Sequence, residues 1–242
     1  MLFVSCMKSN KPDNVYWSCE QLLDTAGLKL YPFVPFTDEE MRTLPYFEEK
    51  LPRRQIPEDF LHGMTAKELF YQVVYTDLSQ SMVLFNTRQQ GFMAVTLQLN
   101  MLPELLNRPD AGIVLLEMLY NIDPAQIEGL DCNWAYHCLN IIGAQPEIIN
   151  RMADGDICSY IDQQMRCNDA IRSLNNGYPA NATLLLFGLG NVMIRYEFQP
   201  FIQTLDRHPV TNELCWDTQF INEQYALQII DYVKQFKKQI KK

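Results

Sequence analysis

The chain has 242 residues, 48% of them hydrophobic and 12% aromatic, which suffices to bury a sizeable core as one domain or a short solenoid and excludes general disorder. Its formal net charge of −9, from 29 acidic against 20 basic residues, argues against a nucleic-acid partner, because phosphate binding needs clustered Lys and Arg. No stretch reaches the roughly 20 apolar residues of a bilayer-spanning helix. The most apolar run, residues 184–194, is interrupted by Gly188, Gly190 and Asn191 and reads as a buried helix whose glycines admit a close neighbour.

Residues 1–14 read as an N-terminus and tether. Met1-Leu-Phe-Val-Ser-Cys6 is an apolar run ending in a small residue and a cysteine. It resembles the lipobox of bacterial lipoproteins, where a signal peptidase cuts before the cysteine and lipid is added to its sulfur. That resemblance makes Cys6 the lipidation site and residues 7–14 a flexible lead off the membrane. Phe3 departs from the usual Leu, Val or Ile, and no positive n-region or complete apolar h-region precedes it, which fits a start upstream of Met1.

Residues 15–56 hold a first helix and a proline-rich wrap. Asp13 caps the helix; Val15, Tyr16, Cys19, Leu22, Leu23 and Ala26 form its apolar side, and Gly27 ends it. Pro32, Pro35, Pro45, Pro52 and Pro57 exclude long helices beyond it, since each ring fixes φ and removes a donor. One short helix fits residues 38–44, where Thr37 and Glu40 form a capping box. The remainder is expected to lie extended over the helical body.

Residues 57–242 form the main domain. Thr65 and Glu68 make the clearest helix start, with Met64 placed to staple onto Leu69. Helices are predicted near 66–75, 78–85, 88–100, 102–107, 110–121, 131–142, 145–152, 157–175, 180–196, 198–206 and 219–240. Asp110, Asp123, Asp131 and Asp156 are capping candidates, and Gly143 and Gly177 are stop candidates. No run alternates apolar and polar residues, so the fold class is all-α. Ile113, Val114, Leu115, Leu116, Met118, Leu119 and Tyr120 surround their helix almost completely, which predicts an inner helix buried on all sides. In the last helix Phe220, Ile221, Gln224, Leu227, Ile230, Val233 and Phe236 give an apolar stripe opposite Gln228, Asp231, Gln235 and Lys238, suited to closing the end of the core.

One phrase recurs. Pro103-Glu-Leu-Leu-Asn-Arg108 returns as Pro146-Glu-Ile-Ile-Asn-Arg151, 43 residues on, with looser copies at Pro57-Glu58-Asp59-Phe60-Leu61 and Pro200-Phe201-Ile202. This register makes Leu105 equivalent to Ile148 and Leu106 to Ile149. A short helix beginning at Pro, a break, then a longer apolar helix, with a period in the forties, resembles the armadillo and HEAT class of helical repeats over residues 56–209. The resemblance implies an irregular repeat stack; a compact multi-helix bundle is the alternative. Residues 56–69, 86–92 and 100–110 also resemble uncharacterised exported helical lipoproteins of gut-type Gram-negative bacteria, which implies an envelope location and no activity.

Motifs for chemistry are few. His137 and Cys138 are adjacent, about 100° apart on a helix, and Cys132 precedes Cys138 by six, so neither a metal site nor a nucleophile–base pair is expected there. His62 and His208 sit in punctuation segments. Gly188-Leu-Gly190 lacks the rest of a phosphate loop. Asp154, Asp156 and Asp162 resemble a fragment of a calcium loop without its full ligand pattern. Asn181-Ala-Thr183 is a formal glycosylation sequon. Cys6 aside, the remaining six cysteines (Cys19, Cys132, Cys138, Cys158, Cys167 and Cys215) could pair or stay free, and their apolar surroundings make buried free thiols the default. The basic cluster Lys234, Lys237, Lys238, Lys241 and Lys242 suits a last helical turn. Eleven Met and twelve Tyr would serve either a core or an adaptable binding surface, the core being commoner.

The leading expectation is a non-enzymatic protein- or peptide-binding scaffold without cofactor or metal. It would be anchored in the bacterial envelope through Cys6, on the periplasmic or outer-membrane face. The alternatives are a hydrolase with a site assembled from sequence-distant residues, and a cytoplasmic helical adaptor.

Overall fold

The computed structural model describes residues 26–83, 85, 87–124, 130–174, 182–207 and 223–240. The protein is all-α, and no strand occurs among the described residues. Helix α1, Asp38–Thr43, starts on the predicted capping box: the Glu40 N–H donates to Thr37 Oγ1 (3.2 Å) and the Thr37 N–H to Glu40 Oε2 (2.8 Å). It buries no residue, so its cap and a clasp hold it. Arg53 Nη1 lies 2.8 Å from Glu40 Oε1, and the Arg53 and Arg54 guanidinium groups sit 4.1 and 4.3 Å from the centre of the Phe36 ring. The wrap is not extended throughout. Tyr46–Lys50 closes a π-type turn and Pro52–Arg54 a 3-10 turn, the second seeded by Pro52 at the first helical position.

The rest of the chain forms α2 (Glu58–Gly63), α3 (Ala66–Val74), α4 (Arg88–Thr96), α5 (Met101–Asn107), α6 (Ala111–Asn121) and α7 (Leu130–Gly143). It continues with α8 (Pro146–Ile149), α9 (Asp154–Leu174), α10 (Ala182–Arg195), α11 (Gln199–Arg207) and α12 (Glu223–Ile240). The helix expected at 78–85 is a 3-10 turn, Asp77–Val83. Gly27 takes a left-handed φ of 79°, as the end of a preceding helix requires, while that helix lies outside the described residues. Gly177 also lies outside them. Gly143 is the stop expected, as the last residue of α7, and a Cβ there would meet Leu115 Cδ2 at 2.6 Å, so it also lets α6 close on α7. Asp131 lies within α7, and Asp110 precedes α6 without a side-chain cap bond. Asp156 caps from inside α9, accepting the Ala153 N–H (3.2 Å), because the helix begins before it.

Helix α6 is not buried on all sides. It buries Ala111, Gly112, Leu115, Met118 and Leu119, but Ile113 and Tyr120 are 47% and 68% exposed. Its face is set by neighbours on one side, including α8, whose Ile148 carbonyl would lie 3.1 Å from a Cβ on Gly112. The helix enclosed nearly all round is α3, which buries every residue except Lys67.

Counted in threes from α2, helices of the same rank fall into three rows that pack in order: α2 on α5 and α5 on α8; α3 on α6, α6 on α9 and α9 on α12; α4 on α7 and α7 on α10. Leu105, Leu106, Ile148 and Ile149 are all buried. Arginines satisfy carbonyls that helix ends leave open, with the favourable sign for a helix C-terminus. Arg108 Nη2 donates to the carbonyl of His62 (3.2 Å) after α2, and Arg151 Nη1 to that of Arg108 (2.7 Å) and of Leu106 after α5. Arg195 reaches the Ile149 carbonyl after α8, and Arg166 the Ile122 carbonyl (2.8 Å) after α6. In α12, Ile229, Ile230, Val233 and Phe236 are buried, whereas Leu227 is 45% exposed, so Ile229 takes its place on the stripe. Phe220 and Ile221 lie outside the described residues.

Candidate functional site

Among the described residues, those flagged for chemistry do not converge. Cys138 is buried in α7, and burial pushes its thiol up to about 12, against the opposing bond to Ser79, so it carries no reactive thiolate. His137 stacks obliquely on Trp134, ring centres 6.4 Å apart, and the Trp134 Nε1–H donates to Ser79 Oγ (3.1 Å). Cys158 and Cys167 are likewise free and buried, and burial raises the Cys167 thiol to about 11. The three aspartates are taken separately. Asp154 accepts the Tyr196 hydroxyl (2.6 Å), Asp156 caps α9, and Asp162 pairs with Lys237. Among the described residues no three His, Cys, Asp or Glu could hold one metal ion. His62 stands 3.7 Å from Glu104 at the surface. Cys6, Cys19, His208, Asn181 and Cys215 lie outside the described residues. Gly188 serves packing, since a Cβ there would lie 3.1 Å from the Tyr160 hydroxyl.

Two polar groupings are built into the core. Between α7 and α9 the Tyr136 hydroxyl donates to Gln164 Oε1 (2.9 Å) and Asn140 Nδ2 to the Tyr136 carbonyl (2.8 Å), with Tyr160 beside them. Burial raises both phenols, so neither serves as a base near neutrality. The Tyr160 hydroxyl abuts Gly143 as well as Gly188, which makes this grouping closed packing.

The second grouping lies on α3 and holds a length of non-helical chain, residues 28–33, which bonds through Lys29 and Tyr31 and turns at Pro32. The Lys29 N–H donates to Glu68 Oε1 (2.8 Å). Two residues on, the Tyr31 N–H donates to Gln72 Oε1 (2.9 Å), and Gln72 Nε2 returns a bond to the Tyr31 carbonyl (3.3 Å). The spacing is physical: two residues of extended chain advance about 6.6 Å and one helical turn from 68 to 72 about 6 Å. Glu68 and Gln72 are only 8% and 5% exposed. No protein-family model, curated protein or solved structure matches this chain. The groove therefore stands on its own geometry. Leu28, Leu30 and Tyr31 pack against the core, Phe33 is buried, and the Tyr31 ring meets Phe33 and Phe60 edge-on at 5.2 and 5.3 Å. After Pro32 the Phe33 N–H turns back to the Tyr31 carbonyl (3.0 Å), a tight turn suited to the fixed φ of proline.

Glu68 thus acts twice, as a capping-box residue for Thr65 and as the acceptor for Lys29. Sequence reading found only the first role and missed Gln72. The available signal was a polar pair one turn apart in a helix otherwise filled by Leu69, Phe70, Tyr71, Val73 and Val74. Burial acts to raise the Glu68 carboxyl, but the N–H groups of Thr65 and Lys29 outweigh it and hold it below the ordinary glutamate value. A depressed folded value stabilises at pH above the unfolded value and is lost as pH falls through the folded one. Glu68→Gln should cost about 1–3 kcal/mol near neutrality, the range for hydrogen bonds to a charged group. In urea titrations that cost should be constant above the ordinary glutamate value and shrink on acidification below it. A cost independent of pH would show that the carboxylate charge contributes nothing here.

Proposed function

We propose that this chain is a non-enzymatic scaffold that binds a protein or peptide, built as an irregular armadillo/HEAT-like stack and held at a bacterial envelope through lipid on Cys6. The order of packing supports the reading most directly. Same-rank helices contact one another along the chain, so each added unit lengthens a surface rather than closing a cleft. The first helix of the third row, α4, carries Met93 and is followed at its C-cap by Leu97, both exposed, Leu97 at 87%. The half-buried Trp134 lies on the next helix of that row. Exposed apolar side chains one turn apart, as Met93 and Leu97 are, suit an interface.

A photo-crosslinking residue at position 97, in protein expressed with its native upstream region in a Gram-negative host, should give one discrete adduct. Met93→Asp should abolish it, and the same probe at the exposed Lys238 should give none. Equal, diffuse adducts at both positions would sink the binding reading. In the same cells Cys6→Ser should move the protein out of the detergent phase; unchanged partitioning removes the anchor from the proposal.

A further inference from the structure

We propose that the α3 face holding residues 28–33 is a binding groove for extended peptides, kept closed by the chain's own segment, and that the partner presents an aromatic-Pro-aromatic stretch in place of Tyr31-Pro32-Phe33. This rests on the scaffold reading and assigns it a site.

Three observations carry it. First, the groove reads main chain: Glu68 and Gln72, both nine-tenths buried, spend their polar atoms on the N–H of Lys29 and on the N–H and carbonyl of Tyr31. Recognition of backbone is indifferent to which chain supplies it, as when a peptide adds to a sheet edge. Second, specificity comes from the side chains between those bonds. The Tyr31 ring is set against Phe60 of α2, and Phe33 is buried. Lys29, by contrast, is exposed and free to vary, while Pro32, also exposed, sets the turn that brings Phe33 back against the groove. Third, the segment is bounded by points where it can part from the body. Gly27 has a left-handed φ of 79°, and Val34 and Pro35 on the far side are exposed.

Tethering explains how such a groove stays shut. A segment joined by a short linker competes at an effective concentration of about millimolar, so a free peptide of equal intrinsic affinity at about 1 µM is excluded roughly 1000-fold. Cutting the linker removes that advantage and leaves the bonds unchanged.

The test uses the full chain with a protease recognition site inserted between Val34 and Pro35, and a fluorescein-labelled peptide of residues 26–35 as probe. Uncut protein should take up almost no peptide. Cleavage should raise the apparent affinity at least about 100-fold, in line with the lost tether. N-methylation of the peptide at the tyrosine equivalent to Tyr31 removes the N–H that Gln72 accepts while leaving the protein untouched. It should weaken uptake about tenfold, as should alanine in place of either aromatic residue. A cleaved protein that takes up no peptide overturns the proposal, since a segment that never leaves is a fixed cap. So does uptake insensitive to N-methylation. A discrete crosslink at position 97 together with either negative result discards the groove and keeps the scaffold; positive peptide exchange without a crosslink does the reverse.

Discussion

Replacing Gly91 with alanine should destabilise the protein by about 3 kcal/mol or more, at the upper end of overpacking effects. The cause is a close approach between backbones. A Cβ on Gly91 of α4 would lie 1.9 Å from the Met82 carbonyl oxygen, 2.6 Å from its carbon and 2.8 Å from the Met82 Cα. A side chain could swing aside, whereas a peptide unit moves only with its segment. That segment, Asp77–Val83, is fastened: Met82 and Ser79 are fully buried, and the Ser79 hydroxyl donates to the Thr76 carbonyl (2.7 Å) while accepting from Trp134 of α7. Relief at Gly91 therefore disturbs the anchor between α3 and α7. The same substitution at Gly155, in the first turn of α9, meets nothing within 4 Å and should stabilise by about 0.5–1 kcal/mol through helix propensity alone. Thermal unfolding separates the two, because 3 kcal/mol in a chain of this size lowers Tm by about 6–12 °C. A Gly91→Ala protein melting within a degree of its parent would show that the turn yields freely.

What the sequence made legible was local. The Thr37–Glu40 and Thr65–Glu68 capping boxes each need only four residues, and both form where the pattern puts them. Most helix positions followed from caps, breaks and periodicity for the same reason. Burial was less legible because it is a property of neighbours. The run 113–120 is more continuously apolar than α3, yet Ile113 and Tyr120 face out, since α6 is covered on one side only. Gly143 read as a stop and does end α7, but its second role, the close contact with Leu115, depends on a residue distant in sequence and was not legible. The candidate groove combined both cases. That residues 28–33 would not be helical followed from Pro32 and the prolines after it, whereas the partners Glu68 and Gln72 are about forty residues away, and nothing within residues 28–33 names them.

Phe236→Ala should cost about 3–5 kcal/mol, the usual range for truncating a buried aromatic ring, and the cost should be felt beyond α12. Phe236 is fully enclosed, its ring centre 5.4 Å from those of both Tyr196 and Phe198, at the turn between α10 and α11. Around it Ile229, Ile230 and Val233 bury the same face, and α12 packs on α9, α10 and α11 together. A helix in that position closes the end of the core, so a cavity beneath it weakens what it covers. Leu227, nearly half exposed on the same helix, provides the contrast: Leu227→Ala should change stability by less than about 1 kcal/mol. Native-state hydrogen exchange distinguishes a cap from a loosely docked helix. If α12 caps the core, Phe236→Ala accelerates exchange at the buried Val192 and Met193 of α10 along with α12 itself. If α12 only rests on the surface, awaiting a partner, its own amides open while those of α10 keep their parental protection, and the capping role fails.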